Sequence, residues 1–136
     1  DTDGNAIRLV LPGYANVNGI ALKLIVSSTA RFHTFYGNVM QLQPAGKDVY
    51  RVGDSLVMFE EQRRVPQNQP MRAKGIRYFT IQVVDVDREH AKLIERGAVE
   101  GMAPVTLGET ARISFIRDPD GNWIELSQRA SLTGTL

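Results

Sequence analysis

The segment Asp118-Pro-Asp-Gly-Asn-Trp-Ile-Glu-Leu126 places one carboxylate where chemistry could occur. Its Asp/Gly/Asn run is a chain-reversing turn, and the residues after it alternate as a strand does. Alternation sets Glu125 on the face opposite Ile124 and Leu126. A carboxylate turned away from an apolar layer needs water, a cation or a metal. The same parity supplies its predicted companions. In residues 20–26, Leu22, Leu24 and Val26 belong under a helix, which leaves Ala21, Lys23 and Ile25 on the open face. Tyr78, Thr80 and Gln82 oppose Phe79, Ile81 and Val83. Ile113 and Phe115 are assigned to the helix side, turning Arg112 and Ser114 outward with Trp123 and Glu125. Met58 and Glu60 alternate with Val57 and Phe59. The predicted ligand surface is therefore Lys23, Met58, Tyr78, Thr80, Gln82, Arg112, Ser114, Trp123 and Glu125. The competing reading is an ordinary solvated sheet face.

The elements that must position these residues repeat. The pattern predicts a strand over 20–26, a helix over 29–40 and a hairpin of strands 49–52 and 55–60 around Gly53-Asp54. Residues 63–75, with Pro66, Pro70 and several Gln, Asn and Arg, read as an exposed linker or, less favourably, a lid. Then come a strand over 78–84, a helix over 87–96 ended by Gly97, and a hairpin of 112–116 with 122–127. Sliding the first half forward lays Val26 on Val83, Ser28 on Asp85, Arg31 on Arg88 and His33 on His90. The N-terminal Asp1-Thr-Asp-Gly-Asn-Ala-Ile-Arg-Leu9 copies the motif at 118–126, with Arg8 in place of Glu125. It reads as an extra strand over 1–12, the end of a preceding module, or else as a chance recurrence. The expected organisation is that strand, a first module over 19–62, a linker over 63–76, a second module over 77–128 and a tail over 129–136.

Composition limits the function classes. With 136 residues, 43% of them hydrophobic, the chain has enough apolar surface for a compact core. A formal charge of +1 argues against nucleic acid or an anionic membrane as the main partner. No apolar run reaches the length of a membrane span, and no signal peptide is recognisable. The absence of cysteine excludes disulfides, thiol catalysis and thiolate metal sites, and suits a reducing cytoplasm. The missing initial Met suggests a trimmed chain or a fragment.

Three segments occurring in order carry a resemblance. Val26-Ser-Ser-Thr-Ala-Arg-Phe-His-Thr-Phe-Tyr36, Val83-Val-Asp-Val-Asp-Arg-Glu-His-Ala-Lys-Leu93 and the Glu125 motif resemble the vicinal oxygen chelate superfamily. That superfamily holds glyoxalase I, extradiol dioxygenases, fosfomycin-resistance enzymes and bleomycin-binding proteins. The resemblance implies an α+β fold of paired β-α-β-β-β modules forming a curved mixed sheet around a cleft. Metal-dependent relatives present His, Gln or Glu from each of four strands. Alignment puts Ala21, Met58, Tyr78 and Glu125 at those positions, with Glu60 one alternation beyond Met58. Only Glu125 matches a ligand; a register shift of two would substitute Lys23 at the first. Alanine, a thioether and a neutral phenol are poor donors to a hard or borderline divalent ion.

The expectation is accordingly a metal-free binding module without a cofactor, similar to the bleomycin-binding branch. Lys23 would pair with Glu125, and Arg112 with Lys23 would select an anionic or carbonyl group. A divalent metal is disfavoured. A lyase or isomerase with Tyr78 or Lys23 as acid and Glu125 as base stays open, as does a dioxygenase if the ligand alignment is wrong. So does a non-catalytic half of a larger protein. His33 and His90 read as half-buried helix residues with backbone partners. The apolar run Ala6 to Leu11 needs a strand partner, and a homodimer is expected.

Overall fold

The computed structural model describes residue 2, residues 5–75 and 78–134, and residue 136, the Ala15 side chain excepted. The chain divides into two compact units, one of residues 1–66 with 74–76 and one of residues 67–73 with 77–136. In place of a single core, each unit packs its own helix on its own sheet, so each is a β-α-β-β-β module with a four-stranded mixed sheet.

In the first unit β1 (Ala21–Val26) pairs parallel with β4 (Ser55–Glu61), and β3 (Val49–Val52) and β2 (Gln43–Gly46) follow antiparallel. Leu24 and Val26 are buried while Ala21, Lys23 and Ile25 are exposed, as alternation requires. The helix α1 (Thr29–His33) starts at Ser28, whose Oγ accepts from the Arg31 amide at 3.4 Å. It does not run on to residue 40 as an α-helix: Thr34–Val39 form a wider π turn. Thr, Phe, Tyr, Gly, Asn and Val are all weak helix formers, so little local energy holds the narrower winding. Packing sets this segment instead. Phe32 lies 5.9 Å from Tyr36 and edge-on to Phe59 at 5.3 Å.

In the second unit β5 (Tyr78–Gln82) pairs parallel with β8 (Trp123–Arg129), followed antiparallel by β7 (Ala111–Arg117) and β6 (Val99–Leu107). The helix α2 (Val86–Glu95) is capped by Asp85, which accepts from the Arg88 amide at 3.0 Å, and is followed by Gly97 at φ 96°. It buries Val86, His90 and Leu93. Ile116, Ile124 and Leu126 lie on the sheet face beneath, each almost fully buried. Burial of each such side chain stabilises by roughly 1.5–3 kcal/mol. A single turn, α3 (Ala130–Thr133), follows β8 where a plain tail was expected.

Two strands escaped the sequence pattern, β2 with Pro44 and β6 with Gly101 and Pro104. Both are sheet edges, where a missing proline N–H costs no ladder bond. The extra strand expected over 1–12 is not formed among the described residues, since residues 5–11 join neither sheet. Ile7, Leu9 and Leu11 stand exposed, because an apolar strand without an adjoining edge has nothing to bury against. Asp1, Asp3 and Gly4 of that motif, and the linker's end at Ile76 and Arg77, lie outside the described residues. No helix among the described residues is long and apolar enough to cross a membrane.

Candidate functional site

The Asp/Gly/Asn turn that opens β8 is tied by its own side chains. Asp118 Oδ1 accepts from the amides of Asp120 and Asn122 at 3.0 and 2.9 Å, and Oδ2 accepts from Asn122 Nδ2 at 2.8 Å. Despite these bonds, burial pushes the Asp118 carboxyl up to about 6. Gly121 has φ 79°, and a Cβ there would collide with Asn68. Arg117 Nε donates to the Gly121 carbonyl at 2.7 Å, and its guanidinium lies 4.1 Å from the Trp123 ring centroid. Trp123 Nε1 donates to the Gln69 carbonyl at 3.0 Å. The stretch expected as an exposed linker is exposed over residues 67–70 and is tied to β8 by these bonds, and Met71 packs against Ala111, Ile113 and Phe115.

Strand register then decides which side chains share Glu125's face. Glu125 lies directly between Thr80 of β5 and Phe115 of β7. The neighbouring rows are Tyr78, Trp123 and Arg117 on one side, and Gln82, Ser127 and Ile113 on the other. Residues opposite one another point to one side of a sheet, so five predicted residues, Tyr78, Thr80, Gln82, Trp123 and Glu125, do come together. Phe115 meets Tyr78 and Trp123 edge-on at 5.5 and 5.9 Å.

Arg112 and Ser114 do not belong there. They occupy the opposite face, under α2, where Arg112 Nη2 donates to Asp87 Oδ1 at 2.7 Å and Nη1 to Thr106 Oγ1 at 2.7 Å. The Arg112 guanidinium holds the Asp87 carboxyl below its ordinary range. The expected parity of β7 was inverted because this inner strand buries both faces: Ser114 is 0% exposed and Phe115 5%. Alternation carries no directional signal in such a strand.

Glu125 is 5% exposed, and Thr80 Oγ1 donates to its Oε2 at 3.2 Å. Ser127, two residues on, is fully buried, and its Oγ has no hydrogen-bond partner among the described residues. Sequence reasoning missed Phe115 and Ser127. Ser127 carried a usable signal, being the next residue of Glu125's own parity; Phe115 did not.

In the first unit the open-face neighbours are Lys23 and Met58, with Ala21 beside Leu56 and Ile25 beside Glu60. Lys23 forms an ion pair with Glu60, not the expected pair with Glu125, and this holds the Glu60 carboxyl below its usual range. Glu60 is the next residue of that face of β4, within reach of the long Lys23 side chain. The register also shows which residues lie directly beside two of the positions aligned as ligands. The residue beside Glu125 is Thr80 rather than Tyr78, and the one beside Met58 is Lys23 rather than Ala21. A hydroxyl with one carboxylate in one unit, and an ammonium with a thioether in the other, do not fit a divalent cation. No three His, Cys, Asp or Glu converge as a metal cluster among the described residues.

The histidines find side chains rather than the expected backbone partners. His33 Nδ1 lies 2.9 Å from Tyr50 Oη and Nε2 2.8 Å from Asp48 Oδ1, on the helix side of the first unit. His90 Nε2 lies 3.0 Å from Glu100 Oε2.

The family model described as Glyoxalase/Bleomycin resistance protein/Dioxygenase superfamily matches residues 17–126. Among solved structures, the glyoxalase family protein of Bacillus cereus is 16% identical, covering 93% of this chain and 99% of that one at TM-score 0.70. A glyoxalase/bleomycin resistance protein/dioxygenase of Alicyclobacillus acidocaldarius is 17% identical, covering 84% and 93% at TM-score 0.63. A glyoxalase-related enzyme of Fulvimarina pelagi is 14% identical, covering 82% and 87% at TM-score 0.64. At these identities the structures speak for the fold. No curated protein matches the chain in sequence. By the family model, with the strand order of both units in agreement, this chain belongs to the glyoxalase/bleomycin resistance protein/dioxygenase superfamily.

Proposed function

We propose that the chain is a metal-free small-molecule binding module whose ancestral metal position has degenerated. The observation that carries this reading is Glu125, a buried carboxylate whose hydrogen bond comes from a threonine hydroxyl. One carboxylate and one hydroxyl are too few and too weak a donor set to retain Zn, Ni, Fe or Mn. What surrounds Glu125 suits an organic ligand. Tyr78, Phe115 and Trp123 supply a rigid aromatic wall, and Thr80 and Gln82 supply exposed polar groups at the β5 margin. Lys23 and Arg112 leave the proposed ligand set, because each is held by a carboxylate of its own unit.

Metal analysis of the purified protein is expected to give far less than one transition metal per chain. Titration with small aromatic compounds is expected to change the emission of Trp123, the sole tryptophan. A stoichiometric metal lost on Glu125→Gln would overturn the reading. We further propose a homodimer working in the cytoplasm; light scattering that finds a monomer at micromolar concentration would remove the dimer.

A further inference from the structure

We infer that the ligand of the Glu125 face carries a protonated amine, held by Glu125, Thr80 and Ser127, on an apolar or aromatic frame that rests against Phe115, Tyr78 and Trp123. The inference rests on the binding role proposed above and reverses the sequence expectation of an anionic or carbonyl ligand. Three observations lead to it. The first is charge. Among the described residues a carboxylate at 5% exposure has a neutral hydroxyl donor from Thr80, and a buried charge calls for a counter-charge.

The second is that cations which could have supplied it are committed elsewhere. Lys23 is paired with Glu60, and Arg112 with Asp87 across the opposite face. Arg117 shares Glu125's face, but it donates to the carbonyls of Gly121 and Gln69 and lies over the Trp123 ring, at the turn end of the strand. An anion brought to Glu125 would meet like charge there, with Lys23, Arg112 and Arg117 held by other groups among the described residues.

The third is the donor–acceptor count. Thr80 spends its hydroxyl hydrogen on Glu125 and keeps its lone pairs, while Ser127 Oγ is buried with no partner among the described residues. The face therefore offers the two carboxylate oxygens and two hydroxyl oxygens as acceptors, enough for the three N–H donors of an alkylammonium. Bonds between a charged donor and a carboxylate are about twice as strong as neutral ones. The aromatic rings next to Glu125 add attraction for a cation and contact for its carbon frame.

The test uses three probes of matched size: phenethylammonium, phenethyl alcohol and hydrocinnamate, titrated against Trp123 emission and by calorimetry at neutral pH. The ammonium is expected to bind about tenfold or more tightly than the alcohol, from a charged hydrogen bond of roughly 1.5–3 kcal/mol. Hydrocinnamate is expected to bind weakest. Glu125→Gln should erase the preference, so that the ammonium binds the variant no more tightly than the alcohol does, with the variant's fold checked by its melting temperature. Thr80→Val, which keeps the side chain's shape at an exposed position and removes the hydroxyl, should reduce that preference several-fold. Equal or tighter binding of the alcohol or hydrocinnamate would overturn the amine assignment and leave the binding role standing. Failure of all three probes to bind would overturn both.

Discussion

The two modules share a strand order and differ in what they place at the same structural position. In the first, the β1–β4 neighbours Lys23 and Met58 sit beside an exposed ion pair, with Lys23 and Glu60 side chains 57% and 46% exposed. In the second, the β5–β8 neighbours Thr80 and Glu125 leave a carboxylate buried without an ion-pair partner among the described residues. An exposed pair is screened by water and contributes little, whereas a buried charge is costly unless something pairs with it. Their helix sides differ too: the first packs Phe32, Tyr36, Tyr50 and Phe59, and the second packs Val86, Leu93, Ile116, Ile124 and Leu126. The scaffold tolerates either filling, so function has to be argued from the face rather than from the fold.

The contrast between the two cores can be broken by truncation. Phe32→Ala should cost about 3–5 kcal/mol in urea unfolding, against about 2–4 for the matched truncation Ile116→Ala. Equal costs would show that the aromatic cluster is not the stronger holdfast. Next in size is a titration confined to the second module. The folded Asp118 carboxyl titrates near 6, above its unfolded value of 3.8. Its contribution is full below the unfolded value, falls as the unfolded chain ionises first, and is gone once pH passes about 6. The parent should therefore lose up to about 3 kcal/mol relative to Asp118→Asn between pH 4 and 7. A constant gap between the two melting curves across that range would refute the burial argument.

Smaller again is the first module's His33 network, where Tyr50→Phe should cost about 1 kcal/mol by removing the hydroxyl's contacts with the His33 ring and carbonyl. Burial holds the Tyr50 phenol above its ordinary range, so these contacts should persist into mildly alkaline solution. The smallest effect belongs to Lys23→Met, which should leave the unfolding midpoint unchanged because its ion pair is solvated. A clear shift in the midpoint would mean that Lys23 is bound up in more than Glu60.

Much of the scaffold could be read in advance. Leu24 and Val26 alternate with Lys23 and Ile25 because that strand has one wet face, and the prediction of its sides holds. Gly97 marks the end of α2 because a left-handed exit is a local requirement, whereas the Asp85 cap moves the start one residue ahead of the expected Asp87. The edges β2 and β6 were hidden by Pro44 and Pro104, which cancel the local strand signal without harming an outer strand. The π turn after His33 was hidden as well, since burial of its aromatic rings determines its winding.

The sequence by itself determined the module order, the superfamily and the placing of Glu125 on the face away from Ile124 and Leu126, because turn chemistry and one-sided alternation act over a few residues. Only the tertiary structure decided Glu125's neighbours. Cross-strand register brings Thr80 and Phe115 to it, and the pairing of Lys23 with Glu60 and Arg112 with Asp87 takes both expected cations away. The physical reason is reach: a long charged side chain goes to the carboxylate that folding brings closest, and that distance is written in no local pattern.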